Sequence, residues 1–303
     1  MFCIITLLIT KDKQRMMKFG AWITVLLLLL HQGTQAQAPH EKALLWQVAG
    51  NGTTAPSYLF GTFHLLCNED AALGKTFEQK FDASSTLYLE MDMSNLGEQA
   101  ALLKMMMMPN GTTISSLLTK KEYDSLATLF TRYTGTPFLL VNNIKPLLLS
   151  SLLFPSMMNC ETSSLELKLT GMAKQKHIPV KGLETMAFQA AMIDSIPYQQ
   201  QANDLVKTLY SYDSVKEDMM QMVQYYKQRD LPALYNSVLN DTLFNNFEEM
   251  MLYRRNTNWA PVLAAAMKQQ PCFVAVGAAH LAGDKGLIAL LRKKGFTVTP
   301  VSY

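Results

Sequence analysis

The chain has 303 residues, and its 27 basic and 24 acidic residues leave a formal net charge of +3. The basic residues are scattered, which excludes an extended nucleic-acid surface. Beyond an apolar segment near the start, no stretch has the ~20 apolar residues of a membrane-spanning helix, and the remaining chain is long enough to bury a substantial core.

The first predicted element is a secretory signal rather than part of the fold. Residues 16–30 pass from a short charged segment into an apolar one, and residues 36–38 read Ala-Gln-Ala, the pattern of a cleavage site. Cleavage after Ala38 would leave residues 39–303 as one exported domain without a stable membrane span, in the periplasm or outside the cell. The signal is complete without residues 1–15, which suggests a start codon assigned too early; a two-part leader or an uncleaved anchor is the alternative.

The next elements are short and alternate in type. Residues 44–49 and 57–60 are predicted strands on either side of an Asn-Gly turn at 51–52. A helix over residues 73–83 and a buried strand over residues 85–91 follow. The order to this point is β-β-α-β.

Helical patterns dominate the middle of the chain. Two helical insertions are predicted over about residues 95–160 and 197–267, and Thr119 and Glu122 in the first have the spacing of a capping box. The remaining predicted helices and strands cover residues 165–173, 178–181, 272–276, 286–294 and 297–301. Strands and helices that alternate at both ends predict an α/β fold, with a central mixed β-sheet flanked by helices and carrying helical insertions.

Three cysteines follow the predicted cleavage site, namely Cys67, Cys160 and Cys272. Their spacings match no zinc-binding pattern, and an exported chain enters an oxidising compartment. The count permits one disulfide and one free thiol, and the spacings do not decide the pairing.

Two histidines each stand three residues after a glycine that follows a predicted strand. The pairs are Gly61 with His64 and Gly277 with His280. Glycine permits a tight exit from a strand, and ligands of open α/β sheets bind at the carboxyl ends of the strands. Either histidine alone is more typical of a core residue, but the repeated corner favours a shared site in which imidazole nitrogens bind a divalent ion.

Three glutamates are candidate partners for these histidines. Glu90 ends a hydrophobic strand, where an unpaired charge is costly, Glu184 follows another strand, and Glu166 lies on the helix before it. For Glu90 the structural alternative is a salt bridge to Arg254 or Arg255. For Glu184 the alternative is a role at a helix N-terminus, and for Glu166 it is a solvated helix face.

Five segments carry a resemblance over about residues 44–301. They are residues 59–64, residues 89–92, residues 182–185 with Gln189, residues 255–256 with Trp259, and residues 276–281 with Gly283. In this order they resemble the TraB/GumN family, which is similar to the Tiki proteases. The resemblance implies an EreA/Tiki-like architecture and a metal-dependent hydrolase that uses a divalent ion of the manganese or cobalt type.

The resemblance also implies roles for individual residues. His64, His280 and Glu90 are the implied metal ligands, and the implied catalytic residues are Glu184, Glu166, Arg255 and Asn256. Many family members have an aspartate at the position of Glu166, which leaves its role the least defined.

The expected substrate is a peptide or a small ester or amide, and no nucleic-acid partner is expected. Three alternatives remain at this point. One is a metal-free, esterase-like hydrolase with a histidine as the general base. The second is a non-catalytic module that binds or inhibits peptide or pheromone signals. The third is a purely structural exported protein, which would give no reason for matched histidine corners. The sequence leaves the substrate, the metal and the oligomeric state open.

Overall fold

The computed structural model of the chain describes residues 42–92, 105–241 and 247–303. The strands of this described part are β1 (Leu45–Ala49), β2 (Ser57–Thr62), β3 (Leu66–Cys67), β4 (Thr86–Met91), β5 (Thr162–Ser163), β6 (Val180–Glu184), β7 (Cys272–Gly277) and β8 (Thr297–Pro300). The described residues from Lys42 to Tyr303 form one compact unit. The predicted signal peptide, residues 1–38, lies outside the described residues.

Six of these strands form one mixed sheet in the order β6-β4-β7-β2-β1-β8. The four strands from β6 to β2 are parallel, and β1 is antiparallel to both of its neighbours. The central strand β7 is an unbroken apolar run from Cys272 to Val276, as expected for a parallel strand that is covered on both faces.

The helices flank this sheet and occupy the described parts of the connections from β4 to β6 and from β6 to β7. In the described part they are α1 (Lys75–Asp82), α2 (Ile114–Leu117), α3 (Lys120–Thr134), α4 (Pro146–Ser151), α5 (Phe154–Met157), α6 (Leu165–Gln175), α7 (Met186–Asp194), α8 (Tyr198–Tyr210), α9 (Tyr212–Lys227), α10 (Leu231–Asn240), α11 (Arg254–Gln269) and α12 (Leu287–Lys293). Residues 95–104 and 242–246 of the two predicted insertions lie outside the described residues. A π-helical turn over Glu249–Tyr253 leads into α11, and 3-10 turns cover Phe138–Val141 and Ala278–His280. The predicted α/β fold class is confirmed. Within the described ranges, no helix combines the length and the apolar character that crossing a membrane requires.

Local sequence signals explain several of these boundaries. Thr119 is the N-cap of α3, and its backbone N–H donates to Glu122 at 2.9 Å, which completes the predicted capping box. Gly135 ends the same helix in the left-handed region at a φ of 72°. Strand β6 begins after Pro179, which has no N–H group to donate, and it extends through Glu184 rather than ending at Lys181. The corner carrying Glu184 is therefore part of the sheet.

An aromatic cluster packs α1 onto one face of the sheet. Phe60 of β2 and Phe273 of β7 contact Phe77 of α1 with ring centroids 4.7 and 5.2 Å apart, and Phe81 lies 5.1 Å from Phe273. All four rings are buried. This packing fixes the strands whose carboxyl ends carry both Gly-x-x-His corners.

A second sheet has only two strands, β3 and β5, and is separate from the six-stranded sheet. β3 and β5 are antiparallel, with Leu66 opposite Ser163 and Cys67 opposite Thr162. Cys67 forms a disulfide with Cys160. Cys272, the other cysteine of the described residues, is buried and carries a free thiol.

Candidate active site at the carboxyl edge of the sheet

The carboxyl ends of four parallel strands converge at one edge of the sheet. Thr62 at the end of β2 lies opposite Gly277 at the end of β7. Met91 at the end of β4 lies opposite Glu184 at the end of β6. Residues that end or follow these strands therefore share one region, where ligands of α/β sheets bind.

The second Gly-x-x-His corner is buried and its histidine is neutral. His280 is 4% exposed, and its Nδ1 lies 2.7 Å from Asn256 Oδ1. The Asn256 amide nitrogen donates to the backbone oxygen of Lys285, so Oδ1 is the acceptor and His280 Nδ1 is the donor. Burial and the nearby charge of Arg255 lower the pKa of His280 to about 3. Nε2 therefore carries a lone pair at pH 7, and it lies 3.2 Å from Arg255 Nη1.

Arg255 lies at the centre of a buried ion cluster. Its Nε and Nη2 donate to both carboxylate oxygens of Glu184 at 2.8 to 3.1 Å, and Nη2 also donates to Glu90 at 2.7 Å. Trp259 Nε1 donates to Glu184 at 3.0 Å, and the guanidinium lies 4.7 Å from the centre of the Trp259 ring. Glu184 is only 5% exposed, and its carboxylate also accepts a hydrogen bond from Gln189 Nε2 at 3.3 Å, so Arg255, Trp259 and Gln189 together occupy it.

Glu90 connects this cluster to β7. Its Oε1 accepts the backbone N–H of Gly277 at 2.8 Å, and the same oxygen lies 3.7 Å from His280 Nε2. Burial alone would raise the pKa of Glu90, but the positive charges of Arg255 and His64 and the backbone N–H of Gly277 lower the pKa to about 2. The salt bridge considered as the structural alternative for Glu90 exists, and its partner is Arg255.

The first Gly-x-x-His corner is open to solvent. The His64 side chain is 75% exposed, and its Nδ1 lies 2.9 Å from Glu166 Oε1. Thr62 donates to the same oxygen at 2.7 Å, and Ser164 donates to Glu166 Oε2 at 2.8 Å. The hydrogen bond to Glu166 and the charge of that carboxylate raise the pKa of His64 to about 9. Glu166 therefore faces the site and does not lie on a solvated helix face.

Gly277 lies where the two corners meet. A Cβ atom added to this residue would lie 3.3 Å from Glu90 Oε1, 3.6 Å from His280 Cδ2 and 3.9 Å from His64 Nε2. The two histidines are 216 positions apart in the sequence numbering, yet both imidazoles and one carboxylate face the same small space. The absence of a side chain at Gly277 keeps that space open.

A cleft of about 290 Å³ opens over this space. It combines the polar groups of the site with an apolar wall, and its lining residues are His64, Leu89, Glu90, Met91, Ser164, Glu166, Leu167, Thr170 and Gln189. Leu167 is 62% exposed, which makes it the part of the wall that a bound molecule would cover.

Sequence reasoning missed three of the polar residues that position this site. Thr62 and Ser164 hold both oxygens of Glu166, and Trp259 holds Glu184. Ser164 carries a usable signal, because it is the N-cap of α6 and stands two residues before Glu166. The contact of Thr62 crosses 104 positions along the chain, so no local pattern indicates it.

As the side chains stand, no three His, Cys, Asp or Glu residues in the described ranges are arranged to hold a metal ion. The physical reason is Arg255, whose Nη1 lies against His280 Nε2 and whose Nη2 lies against Glu90. His64 and Glu90 face the open space directly, whereas His280 would bind an ion only after Arg255 moves off its Nε2.

The charge of the site nevertheless fits a divalent cation. The site holds three carboxylates and one permanent cation: Arg255 pairs with Glu90 and Glu184, and Glu166 pairs with His64. At pH 7 His280 is neutral and His64 is protonated, which leaves one negative charge unbalanced. An ion that binds His64 displaces its proton, and the two negative charges that then remain are those that a divalent ion neutralises. Two imidazole nitrogens with one carboxylate oxygen are also a donor set that suits such ions.

These features define an α/β protein with a candidate polar site at the carboxyl edge of its sheet. The chain belongs to the TraB/PrgY/gumN family, whose model matches residues 44–300. This confirms the family that the five sequence segments indicated.

Three curated relatives are similar to the chain over 84% of its length. "Metalloprotease TIKI1" and "Metalloprotease TIKI2" of Danio rerio are 22% and 23% identical to it, and "Metalloprotease TIKI homolog" of Nematostella vectensis is 21% identical. The matches cover 62%, 60% and 66% of these relatives, so the chain spans less than two thirds of their length. No solved structure matches the chain significantly.

Proposed function

We propose that this chain is an exported, metal-dependent hydrolase of the peptidase type, which cleaves an amide or ester bond in a peptide or a small molecule. The observation that carries the proposal is the convergence of His64, Glu90 and His280 on the space beside Gly277. The names of the three Tiki relatives, each called a metalloprotease, support the reaction class. Export and a single mature domain from residue 39 rest on the N-terminal signal pattern.

The proposed ligands of a manganese- or cobalt-type ion are His64 through Nε2, Glu90 through Oε1 and His280 through Nε2. When bound, such an ion supplies a water of lowered pKa and polarises the substrate carbonyl. Asn256 Oδ1 accepts a hydrogen bond from the Nδ1–H group of His280. This keeps the lone pair on Nε2 and fixes the orientation of the ring.

Glu166 orients the other histidine and is the best-placed proton acceptor. Its hydrogen bond holds the Nδ1 proton of His64, so that Nε2 faces the cleft. Glu166 is 24% exposed and lines the cleft, whereas Glu184 is enclosed by Arg255 and Trp259. We therefore assign proton transfer from water to Glu166 and a positioning role to Glu184.

Arg255 is the proposed stabiliser of negative charge. Its Nε and Nη2 donate to Glu184. The remaining nitrogen, Nη1, donates to the backbone oxygen of Met251 at 3.1 Å and is the guanidinium nitrogen that contacts His280. The hydrogen bonds to Glu184 keep the guanidinium in the site when Nη1 moves off His280, so that Nη1 becomes a donor for the negative charge that develops on the carbonyl oxygen during attack.

The cleft indicates the kind of substrate. Leu89, Met91 and Leu167 form an apolar wall beside His64 and Glu166. Apolar walls with a few polar groups bind apolar side chains and orient the reacting bond. We propose that the substrate carries an apolar residue next to the bond that is cleaved.

Cleavage of a peptide library by the purified chain with Mn²⁺ or Co²⁺ tests this function. The wild type should cleave next to apolar residues, and His64→Ala should lose this activity. His177→Asn is the matched control, because His177 is exposed and has a φ of 56° that asparagine tolerates. Equal activity of the wild type and His64→Ala would eliminate the proposed site.

The hydrogen bond between His64 and Glu166 is also the arrangement of a metal-free histidine base, which makes the esterase-like hydrolase the second candidate. A histidine with a pKa of about 9 is protonated at pH 7, so it is a poor base at neutral pH. Full activity after removal of all metal by a chelator would favour this candidate. Tight peptide binding without any product would instead favour the binding module.

A further inference from the structure

The disulfide joins the two chain segments that carry His64 and Glu166. Cys67 stands three residues after His64, and Cys160 stands six residues before Glu166. The two cysteines are 93 positions apart along the chain. The bond therefore closes a long loop close to the point where His64 contacts the Glu166 carboxylate.

The ribbon that contains this disulfide is too short to be stable without support. β3 and β5 pair over only two residues each, Leu66 with Ser163 and Cys67 with Thr162. One further backbone hydrogen bond, from Asn68 N–H to Glu161 O at 2.9 Å, extends the pairing. Even a complete isolated hairpin is marginal in water, so this register depends on the covalent bond and on the burial of Leu66 in the core.

The His64 side chain depends on this register more than the rest of the site does. Thr62 is buried in β2 and is fixed by the main sheet, and Glu166 follows the buried Leu165 on α6. His64 is largely exposed and is not fixed by packing. Its position relative to Glu166 is set by the path of residues 63–67. Packing holds Phe63 against Tyr226, with ring centroids 5.5 Å apart, and buries Leu66, while the disulfide at Cys67 links this segment covalently to the segment before Glu166.

We infer that Cys67 and Cys160 are positioning residues of the site, because their disulfide holds the His64 imidazole against Glu166. The inference rests on the proposed function for its effect on catalysis, but the placement of His64 is measurable without any substrate. If the disulfide only stabilised the fold, its removal would lower the melting temperature and leave a folded sample fully active.

The first test compares the wild type with Cys67→Ala/Cys160→Ala under conditions where both are folded. We expect kcat to fall about 10- to 100-fold, the usual cost of displacing a catalytic group by about 1 Å, with little change in KM. Cys272→Ala is the matched control, because Cys272 is buried and outside the ribbon, and its kcat should equal that of the wild type. An unchanged kcat in the double variant would overturn the inference.

Reversible reduction repeats this test on the wild-type chain. A phosphine takes the oxygen of one water molecule and becomes the phosphine oxide, while the two sulfurs take the two protons of that water and separate as thiols. Activity should fall on reduction and return on reoxidation, whereas the double variant, treated identically, should not change. Cys272 should not interfere, because burial raises the pKa of its thiol to about 11.

A third measurement separates failure of the inference from failure of the proposed function. The imidazole ¹⁵N shifts of His64, recorded at one fixed pH without metal, report its hydrogen bond to Glu166. The shifts of the double variant should move from the wild-type values toward those of Glu166→Gln, in which the carboxylate is lost. Wild-type shifts in the double variant would overturn the inference even if the chain proves not to be a hydrolase. If the wild type is inactive but the His64 shifts of the double variant differ from those of the wild type, only the proposed function is overturned.

Discussion

At the scale of single residues, the site depends on charges that are compensated in pairs. Arg255 compensates the buried carboxylates Glu184 and Glu90, while the exposed His64 compensates Glu166. Removing one member of a buried pair is costly because the remaining charge has lost both its water and its partner. The two halves of the site should therefore respond differently to substitution.

The first residue-scale prediction concerns Arg255. Arg255→Met should lower the free energy of unfolding by about 3–5 kcal/mol, because it leaves two buried carboxylates without a cation. Arg254→Met is the matched control, since Arg254 is exposed on the same helix, and its effect should stay within about 0.5 kcal/mol. Urea unfolding measures both, and equal effects would show that the ion cluster does not stabilise the fold.

The second residue-scale prediction concerns the pH dependence of the His64–Glu166 pair. The pKa of Glu166 is lowered to about 2, so its contribution to stability is present above its ordinary value of about 4.5 and is lost as the pH falls toward 2. The pKa of His64 is raised to about 9, so its contribution is present below about 6.5 and is lost as the pH rises through 9. The interaction free energy between His64 and Glu166 should therefore be greatest between about pH 4.5 and 6.5.

A double-mutant cycle of His64→Ala and Glu166→Gln, measured by urea unfolding in the presence of a chelator, isolates this coupling. Measurements near pH 3, 5.5 and 9.5 should show a maximum at the middle value. A coupling that is the same at all three values would mean that the two side chains do not interact as an ion pair.

At the scale of secondary-structure elements, the parallel strand ends define the space in which the site forms. β2, β4, β6 and β7 end at one edge, and Gly277 at the end of β7 leaves a gap between Glu90 and both histidines. The backbone does not require glycine here, because the φ of Gly277 is −48°. We conclude that the residue is needed for space rather than for its conformation.

Gly277→Ala tests this conclusion. The added methyl group would occupy the space that Glu90, His280 and His64 face, so metal binding should be lost while the fold remains. Gly171→Ala is the matched control, because a Cβ there meets nothing within 4 Å, and this helical position should gain about 0.5–1 kcal/mol of stability with metal binding unchanged. Titration calorimetry with Mn²⁺ measures binding, and undiminished binding by Gly277→Ala would place any metal elsewhere.

The strand and helix patterns also explain how much of the fold could be predicted. Buried parallel strands such as β7 are continuous apolar runs, and the spacing of Thr119 and Glu122 indicates the capping box of α3. Both signals are local, which is why they could be read. The two-residue strands β3 and β5 have no periodicity to detect, and neither strand was predicted.

At the scale of the whole molecule, the sequence predicted which residues approach one another but not how they pair. Repeated Gly-x-x-His corners predicted that His64 and His280 share a site, because parallel strands end at one edge. The contact of Arg255 with His280, and the pairing of Cys67 with Cys160, depend on side-chain placement between distant segments. No spacing in the chain determines those contacts, and they could therefore not be predicted. The metal-ligand and catalytic roles of the site residues remain predictions.

The proposed hydrolase requires that the two histidine corners and Glu90 together hold one divalent ion. Elemental analysis of the purified chain after dialysis against Mn²⁺ measures this, with His64→Ala/His280→Ala as the comparison. We expect about one ion per wild-type chain, as three protein ligands around an open position require, and almost none in the double variant. Equal metal content in the two proteins, or a wild type that is active without metal, would contradict the proposal.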